Sequence, residues 1–266
     1  MYHSANHQMN QKTILTADWP APENIHAFTT LRYGMGVSKT PFDQFNMGNR
    51  NGEQGDNPID VEKNRELLVQ AYCLPGLPHW LRQVHGVDVL RFDDAPIRSN
   101  DYYKDELVAD ASVTSEKNVV LSILSADCLP LLFCNKDGTE VAAAHAGWRG
   151  LAAGILENTV RSMNCEPENI MVWLGPAAGP MAYEIGAEVR DAFVQYDNHA
   201  EAAFVPSREN HWKVDLYQIA RMRLQNVGVA NIYGGEHCSI SEPDNFFSHR
   251  RDQQTGRMAS IIWMCR

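Results

Sequence analysis

Two short segments put reactive side chains where an apolar run stops. In Ser125-Ala126-Asp127-Cys128-Leu129-Pro130 a cysteine sits in the turn before a proline, and in Ala143-Ala144-His145-Ala146-Gly147 a histidine ends an apolar stretch ahead of a helix start. Strand ends beside helix N-termini are where α/β proteins place ligands, because backbone N–H groups are free there. The 17 residues from Cys128 to His145 leave room for strand, hairpin and strand, which returns both side chains to one sheet edge. A thiol and an imidazole so placed suit nucleophilic catalysis. Plain packing is the competing reading: cysteine is among the most buried residue types, and a histidine near a helix start is often a hydrogen-bonded core residue.

His85, in Gln83-Val84-His85-Gly86, also lies at a strand end beside a glycine. Joined to the other two it gives two imidazoles and a thiolate. Three N/S ligands with a fourth position open are the catalytic form of a zinc site, which lowers the pKa of its water to about 7. Alone it reads as a strand-terminal histidine, and a chain with ten histidines offers chance triples. Several residues are candidates for an anion such as phosphate. Arg149 opens a Gly-flanked helix, Arg250-Arg251 follow Phe246-Phe247-Ser248-His249, and Arg32 and Arg50 bracket a Gly-rich loop around Asn46. Guanidinium forks hold phosphate bidentately; for any single arginine, surface ion pairing is the alternative. Tyr183-Glu184 either caps a pocket or starts a helix.

The elements that must carry these residues alternate along the chain. Lys12 to Asp18 and Ile25 to Leu31 read as strands, Arg32 to Gly55 as a loop, and Asp60 to Ala71 as a helix capped by Asp60. Trp80 to His85 and Val87 to Phe92 read as strands, and the charged stretch Arg91 to Val108 as an exposed excursion. Asp110 to Thr114, Val119 to Leu124, Leu131 to Cys134 and Glu140 to Ala144 are strand-like. A helix follows from Gly147 to about Met163, with Leu151, Ile155, Leu156 and Val160 on one face. Ile170 to Leu174, Ile232 to Cys238 and Ile261 to Cys265 complete the strands. Ala187 to Tyr196 and Leu216 to Val227, the latter capped by Asp215, complete the helices. Strands and helices in this proportion imply helices packed on a mixed sheet.

Composition narrows the class. The chain has 266 residues, 44% hydrophobic and 21% charged, without linker, repeat or low-complexity tract. It reads as a single domain spanning residues 1–266 with a loosely ordered polar start, residues 1–11. Lys and Arg number 23 against 33 Asp and Glu, a net charge of −10, which argues against nucleic acid as a partner. No secretory signal and no membrane span are apparent, and the six cysteines form no Cys-x-x-Cys pair, so reduced thiols in the cytoplasm are expected. Dinucleotide, P-loop, deaminase and nucleophile-elbow signatures are absent.

Taken in order, the motifs resemble one family. Phe28-Thr29-Thr30, Asn46-Met47-Gly48, Asn64-Arg65, Gln83-Val84-His85-Gly86, Ala109-Asp110-Ala111, Ala126-Asp127-Cys128-Leu129-Pro130, His145-Ala146-Gly147-Trp148-Arg149-Gly150, Leu174-Gly175-Pro176, Tyr183-Glu184-Ile185-Gly186 and Phe246-Phe247-Ser248 with Arg250-Arg251 are similar to those of the YfiH-like family. That family is also called laccase-domain or multicopper polyphenol oxidase, and more recently purine nucleoside phosphorylase. The resemblance runs from about Ile25 to Trp263.

The resemblance implies a three-layer α/β/α sandwich with a mixed β-sheet, of the Cys/His hydrolase-like kind. It implies that His85, Cys128 and His145 form the metal and catalytic centre, with zinc the usual ion and copper possible. It further implies phosphorolysis of adenosine, inosine, guanosine and methylthioadenosine with inorganic phosphate, and adenosine deamination. Arg149, Asn46, Arg50 and Arg250 are the candidates for substrate and phosphate. Two other activities compete: a Cys/His amide hydrolase acting on cell-wall precursors, and a copper-dependent polyphenol oxidase. Several coppers would require clustered His-x-His runs, which this chain lacks. His249 departs from the family pattern, where a tyrosine is usual, and the Arg91 to Val108 stretch is longer than typical.

Overall fold

The computed structural model describes residues 12–48, 54–93 and 107–265. The polar start of the chain, Arg50 and most of the expected excursion lie outside the described residues. The strands are β1 (Ile14–Thr16), β2 (Ile25–Thr30), β3 (Leu81–Arg82), β4 (Val89–Arg91), β5 (Leu107–Val108), β6 (Ala111–Thr114), β7 (Leu121–Ser125), β8 (Leu129–Asn135), β9 (Val141–Ala146), β10 (Ile170–Leu174), β11 (Glu184–Gly186), β12 (Phe204–Arg208), β13 (His211–Val214), β14 (Asn231–Gly234) and β15 (Met258–Met264). The α-helices are α1 (Pro58–Ala71), α2 (Trp148–Ala153), α3 (Ile155–Ser162), α4 (Ala187–Val194), α5 (Leu216–Asn226) and α6 (His249–Asp252). A mixed six-stranded sheet runs β14-β10-β8-β9-β6-β4, and a second, antiparallel sheet runs β1-β2-β15-β7. Two smaller sheets pair β11-β13-β12 and β3-β5.

Strands β8 and β9 are buried along their whole length, as expected of strands covered on both faces. Alternation splits their side chains. Leu129, Leu131, Phe133, Ala142 and Ala144 face helices that contribute Leu151, Ile155, Leu156 and Leu224. Leu132, Cys134, Val141 and Ala143 face Leu121, Ile123, Ile262 and Met264 of the antiparallel sheet. That sheet turns Phe28, Ala259, Ile261 and Trp263 outward, against Leu67 and Leu68 of α1.

The mixed α/β class is therefore as the sequence implies, and the layering differs in one respect. Helices cover one face of the six-stranded sheet; its other face is covered by a second sheet, with α1 beyond. The ladders β1-β2, β2-β15 and β15-β7 build this second sheet, and buried apolar residues on both of its faces, Ile123 and Ile262 on one and Phe28 and Ile261 on the other, let it lie between the six-stranded sheet and α1.

Three local readings need correction. The helix expected from Gly147 to Met163 is two helices, broken where Gly154 turns to φ 106°. Helix α1 begins at Pro58 and is capped by the Asn57 side chain, which accepts the Ile59 N–H, so Asp60 lies inside the first turn. Tyr183-Glu184 leads into β11 rather than a helix. The Asp215 cap of α5 is present, accepting the Gln218 N–H at 2.9 Å.

Candidate functional site

The site is built around a carboxylate. Asp110, fully buried just before β6, accepts the backbone N–H groups of Val84 (3.1 Å), His85 (2.9 Å) and Gly86 (2.7 Å). Three convergent N–H groups form an anion nest, and these bonds hold His85 at φ 62°, a left-handed conformation uncommon outside glycine. The fourth donor is the His145 Nδ1–H, 2.8 Å away on β9. One carboxylate thus fixes the backbone of one histidine and the tautomer of the other. His145 is then left with Nε2 as a ligand atom.

Cys128 occupies the short crossover from β7 to β8, beside Asp127 at φ 90°. The Asp127 carboxylate pins this turn by accepting the Ser239 hydroxyl at 2.6 Å and the Arg250 N–H at 2.6 Å. Because Pro130 pairs with His145 in the antiparallel ladder, the thiol two residues earlier lies beside the end of β9. The Cys128 Sγ stands 3.7 Å from His85 Nε2, and the two imidazoles meet edge to face at 4.8 Å between ring centres. Room for this comes from two glycines: a Cβ on Gly147 would lie 2.4 Å from His85 Cδ2, and one on Gly150 would lie 2.7 Å from the Gly86 carbonyl oxygen.

Charge matches geometry. Burial alone would raise the Cys128 thiol, but the His145 cation and hydrogen bonds from both histidines outweigh it and bring the thiol down to about 6. Burial likewise opposes charge on His145, and the Cys128 thiolate and Asp110 overcome it, raising the imidazole to about 9. The donor set fits a metal. One ligand atom from each of His85, Cys128 and His145 lies within 4.8 Å of the others. Ideal tetrahedral zinc would space sulfur and nitrogen by about 3.6 Å, close to the 3.7 Å between Cys128 and His85.

All three residues line a cavity of about 470 Å³, together with Gln83, Ser125, His249 and Arg257. The other sequence candidates lie elsewhere. Asn46 is fully buried and its amide is engaged: Oδ1 accepts the N–H groups of Gly48 and Arg257, and Nδ2 donates to Asp56. Arg149 is exposed and folds over Trp148. Arg250 donates to the Glu184 carbonyl and stacks on Tyr183. Arg251 is a clamp, donating to the carbonyls of Ser239 and Phe246. Arg32 pairs with Asp43 and Asp252.

Sequence reasoning passed over Asp110 and Arg257. Asp110 stood within a quoted motif, and a carboxylate heading an apolar strand was the available signal. Arg257 carried none, because its position depends on β15 pairing with β7.

Fold and site define a class: a mixed α/β protein with a His/Cys/His centre gathered at strand ends beside a carboxylate-filled nest. The family model described as multi-copper polyphenol oxidoreductase laccase matches residues 25–265, and the chain belongs to that family. Among its relatives is "Purine nucleoside phosphorylase" of Xylella fastidiosa, 52% identical over 253 residues, covering 94% of this chain and 96% of that one. "Purine nucleoside phosphorylase YfiH" of Escherichia coli is 50% identical over 251 residues, covering 94% and 98%. Among solved structures, a Neisseria meningitidis protein of family DUF152 matches with a TM-score of 0.87 at 44% identity, over 96% of this chain and all of that one. YlmD from Geobacillus stearothermophilus matches with a TM-score of 0.83 at 30% identity, over 97% and 98%. Among the described residues no helix is long and apolar enough to cross a membrane.

Proposed function

We propose that this protein is a metal-dependent purine nucleoside phosphorylase, acting on adenosine, inosine, guanosine and methylthioadenosine with inorganic phosphate, and deaminating adenosine at the same centre. The observation that carries the reading is the convergence of His85, Cys128 and His145 in a cavity of about 470 Å³, within the size range of small-molecule sites. The names of the close relatives support the substrate class. The three residues would hold zinc, with copper as the alternative ion. When bound, the ion supplies Lewis acidity at an open fourth position. The chain's own part is placement: Asp110 holds the Nδ1 proton of His145 and the backbone of His85. His249, its Nδ1–H donated to the Gln253 carbonyl, adds an imidazole edge to the cavity wall.

A specific observation favours a second reading, the Cys/His amide hydrolase acting on cell-wall precursors. Cys128, His145 and Asp110 follow nucleophile, base and orienting acid, and the thiol falls to about 6 while the imidazole rises to about 9. The family description favours a third, copper-dependent phenol oxidation; against it, the single three-ligand group found among the described residues has donors for one ion, not several.

The deciding experiment is metal analysis of protein purified without added metal, paired with a nucleoside panel. Release of hypoxanthine and ribose 1-phosphate from inosine and phosphate, lost on chelation and restored by zinc, is expected. Activity on amides that survives the chelator and disappears when Cys128 is alkylated would replace the phosphorylase reading with the hydrolase.

A further inference from the structure

The cavity holds a cation, Arg257, with which no carboxylate among the described residues forms an ion pair. Arg257 lines the wall beside the His/Cys/His group. Its NH1 donates to the carbonyls of Thr255 and Gly256, at 3.0 and 2.9 Å, and its backbone N–H is fixed by the buried Asn46 Oδ1 at 2.8 Å. No carboxylate lines the cavity among the described residues, whereas Arg32, Arg91, Arg190, Arg208, Arg223 and Arg251 are each paired with one. Burial pulls the Arg257 guanidinium down from its ordinary value, with the Cys128 thiolate and Asp127 acting in the opposite direction. A partly desolvated cation whose own hydrogen bonds go only to two carbonyls is completed by an anion.

A second, independent feature lies beside it. Ser125 ends β7 and is 2% exposed, yet its hydroxyl has no hydrogen-bond partner among the described residues. Buried hydroxyls normally find partners. The antiparallel pairing of Ser125 with Met258 places it one residue from Arg257 across the ladder, and both line the cavity. A guanidinium fork with an adjacent hydroxyl is the recognition chemistry of a tetrahedral oxyanion.

We propose that Arg257 and Ser125 form an oxyanion subsite beside the His85–Cys128–His145 centre, and that it takes the inorganic phosphate co-substrate. Asn46 is then a positioning residue, acting on phosphate through the Arg257 backbone. This rests on the phosphorylase reading for the identity of the anion. In that reaction a phosphate oxygen forms a bond to the ribose C1′ as the bond from C1′ to the purine nitrogen breaks. The bonding pair leaves with the purine, which takes up the proton that the hydrogen phosphate gives up.

The test uses the full-length protein with inorganic phosphate as the probe, at constant ionic strength, read by calorimetry and by inosine phosphorolysis. R257Q is expected to weaken phosphate binding and raise the phosphate KM roughly tenfold or more, as loss of a charged hydrogen bond implies. R257K and S125A are expected to give smaller losses, and the inosine KM and the zinc content per chain to stay near wild type. Wild-type phosphate affinity in folded R257Q overturns the proposal. So does loss of binding in R149Q or R250Q instead, or absence of phosphate binding by the wild type. Should R257Q fold poorly, R257K and S125A decide: unchanged phosphate affinity in both overturns the subsite. Phosphate binding that depends on Arg257 without any nucleoside cleavage would leave the subsite standing and remove the phosphorylase reading.

Discussion

Replacing Asp110 by asparagine changes almost no volume and nearly all of the local hydrogen bonding. Every partner of this carboxylate is a donor: Oδ1 receives the His145 Nδ1–H and the His85 N–H, while Oδ2 receives the N–H groups of Val84 and Gly86. An amide can satisfy only one of those sides, since its nitrogen points a donor at donors. Two bonds to a charged acceptor are lost, each contributing about 1.5–3 kcal/mol, so D110N should destabilise the metal-free protein by about 3–6 kcal/mol. His145 has one escape. It can give up the Nδ1 proton, keep the one on Nε2 and accept from the new amide at Nδ1, but Nε2 is then no longer a ligand. Zinc affinity should fall on the order of 10–100-fold, as expected when the partner that orients a metal-binding histidine is lost. Urea unfolding of metal-free protein measures the first effect, and competition with a chromophoric chelator the second. A D110N protein that loses under about 1 kcal/mol and binds zinc within about threefold of wild type would refute the reasoning.

Three other perturbations probe separate features. Gly147→Ala keeps an ordinary helix-cap backbone, φ −63°, but drives its Cβ to 2.4 Å from His85 Cδ2; zinc affinity should fall by about tenfold or more with little change in helix content, and unchanged affinity by chelator competition would count against the packing argument. Glu157→Ala strands Arg223, whose Nε lies 2.7 Å from Glu157 Oε1 in a buried pair, so thermal or urea unfolding should show a loss of about 3–5 kcal/mol. His79 is held neutral by burial, its pKa pushed down to about 4. The unfolded imidazole takes its proton near 6.5, so the unfolded state binds more protons between those values. Stability from this residue is full above pH 6.5 and falls as pH drops toward 4, by at most about 3 kcal/mol. His79→Phe should flatten that part of the stability–pH curve, and an unaltered slope would refute the assignment.

Much of the site was legible because strand ends are visible in sequence. The apolar runs of β7 and β9 stop just before Cys128 and just after His145, and both residues sit where those runs imply. Gly147 and Gly150 were legible as a helix start; their other role, clearing the turn at His85 and Gly86, depends on a contact across some sixty residues. Arg149 and Arg250 illustrate why charge alone misleads: a guanidinium that finds an aromatic face or a carbonyl nearby is spent locally. The β11, β12 and β13 strands were missed because they carry half-exposed, charged residues without clean alternation. The separate antiparallel slab was missed for another reason, since a strand's own pattern says which faces are buried but not which sheet it joins.

The crossover at Ala126 to Cys128 joins one sheet to the other, with β7 on the near side and β8 on the far side. The spacing of Cys128 and His145 is an intrasheet quantity, set by the β8–β9 register. The distance from that centre to Ser125 and Arg257, both at the rim of the antiparallel slab, is an intersheet quantity, set by how Leu132 and Ala143 nest against Ile123 and Ile262. Substitutions in that interlayer seam would therefore shift Ser125 and Arg257 relative to Cys128 and His145 while leaving the spacing of those two residues to the β8–β9 ladder.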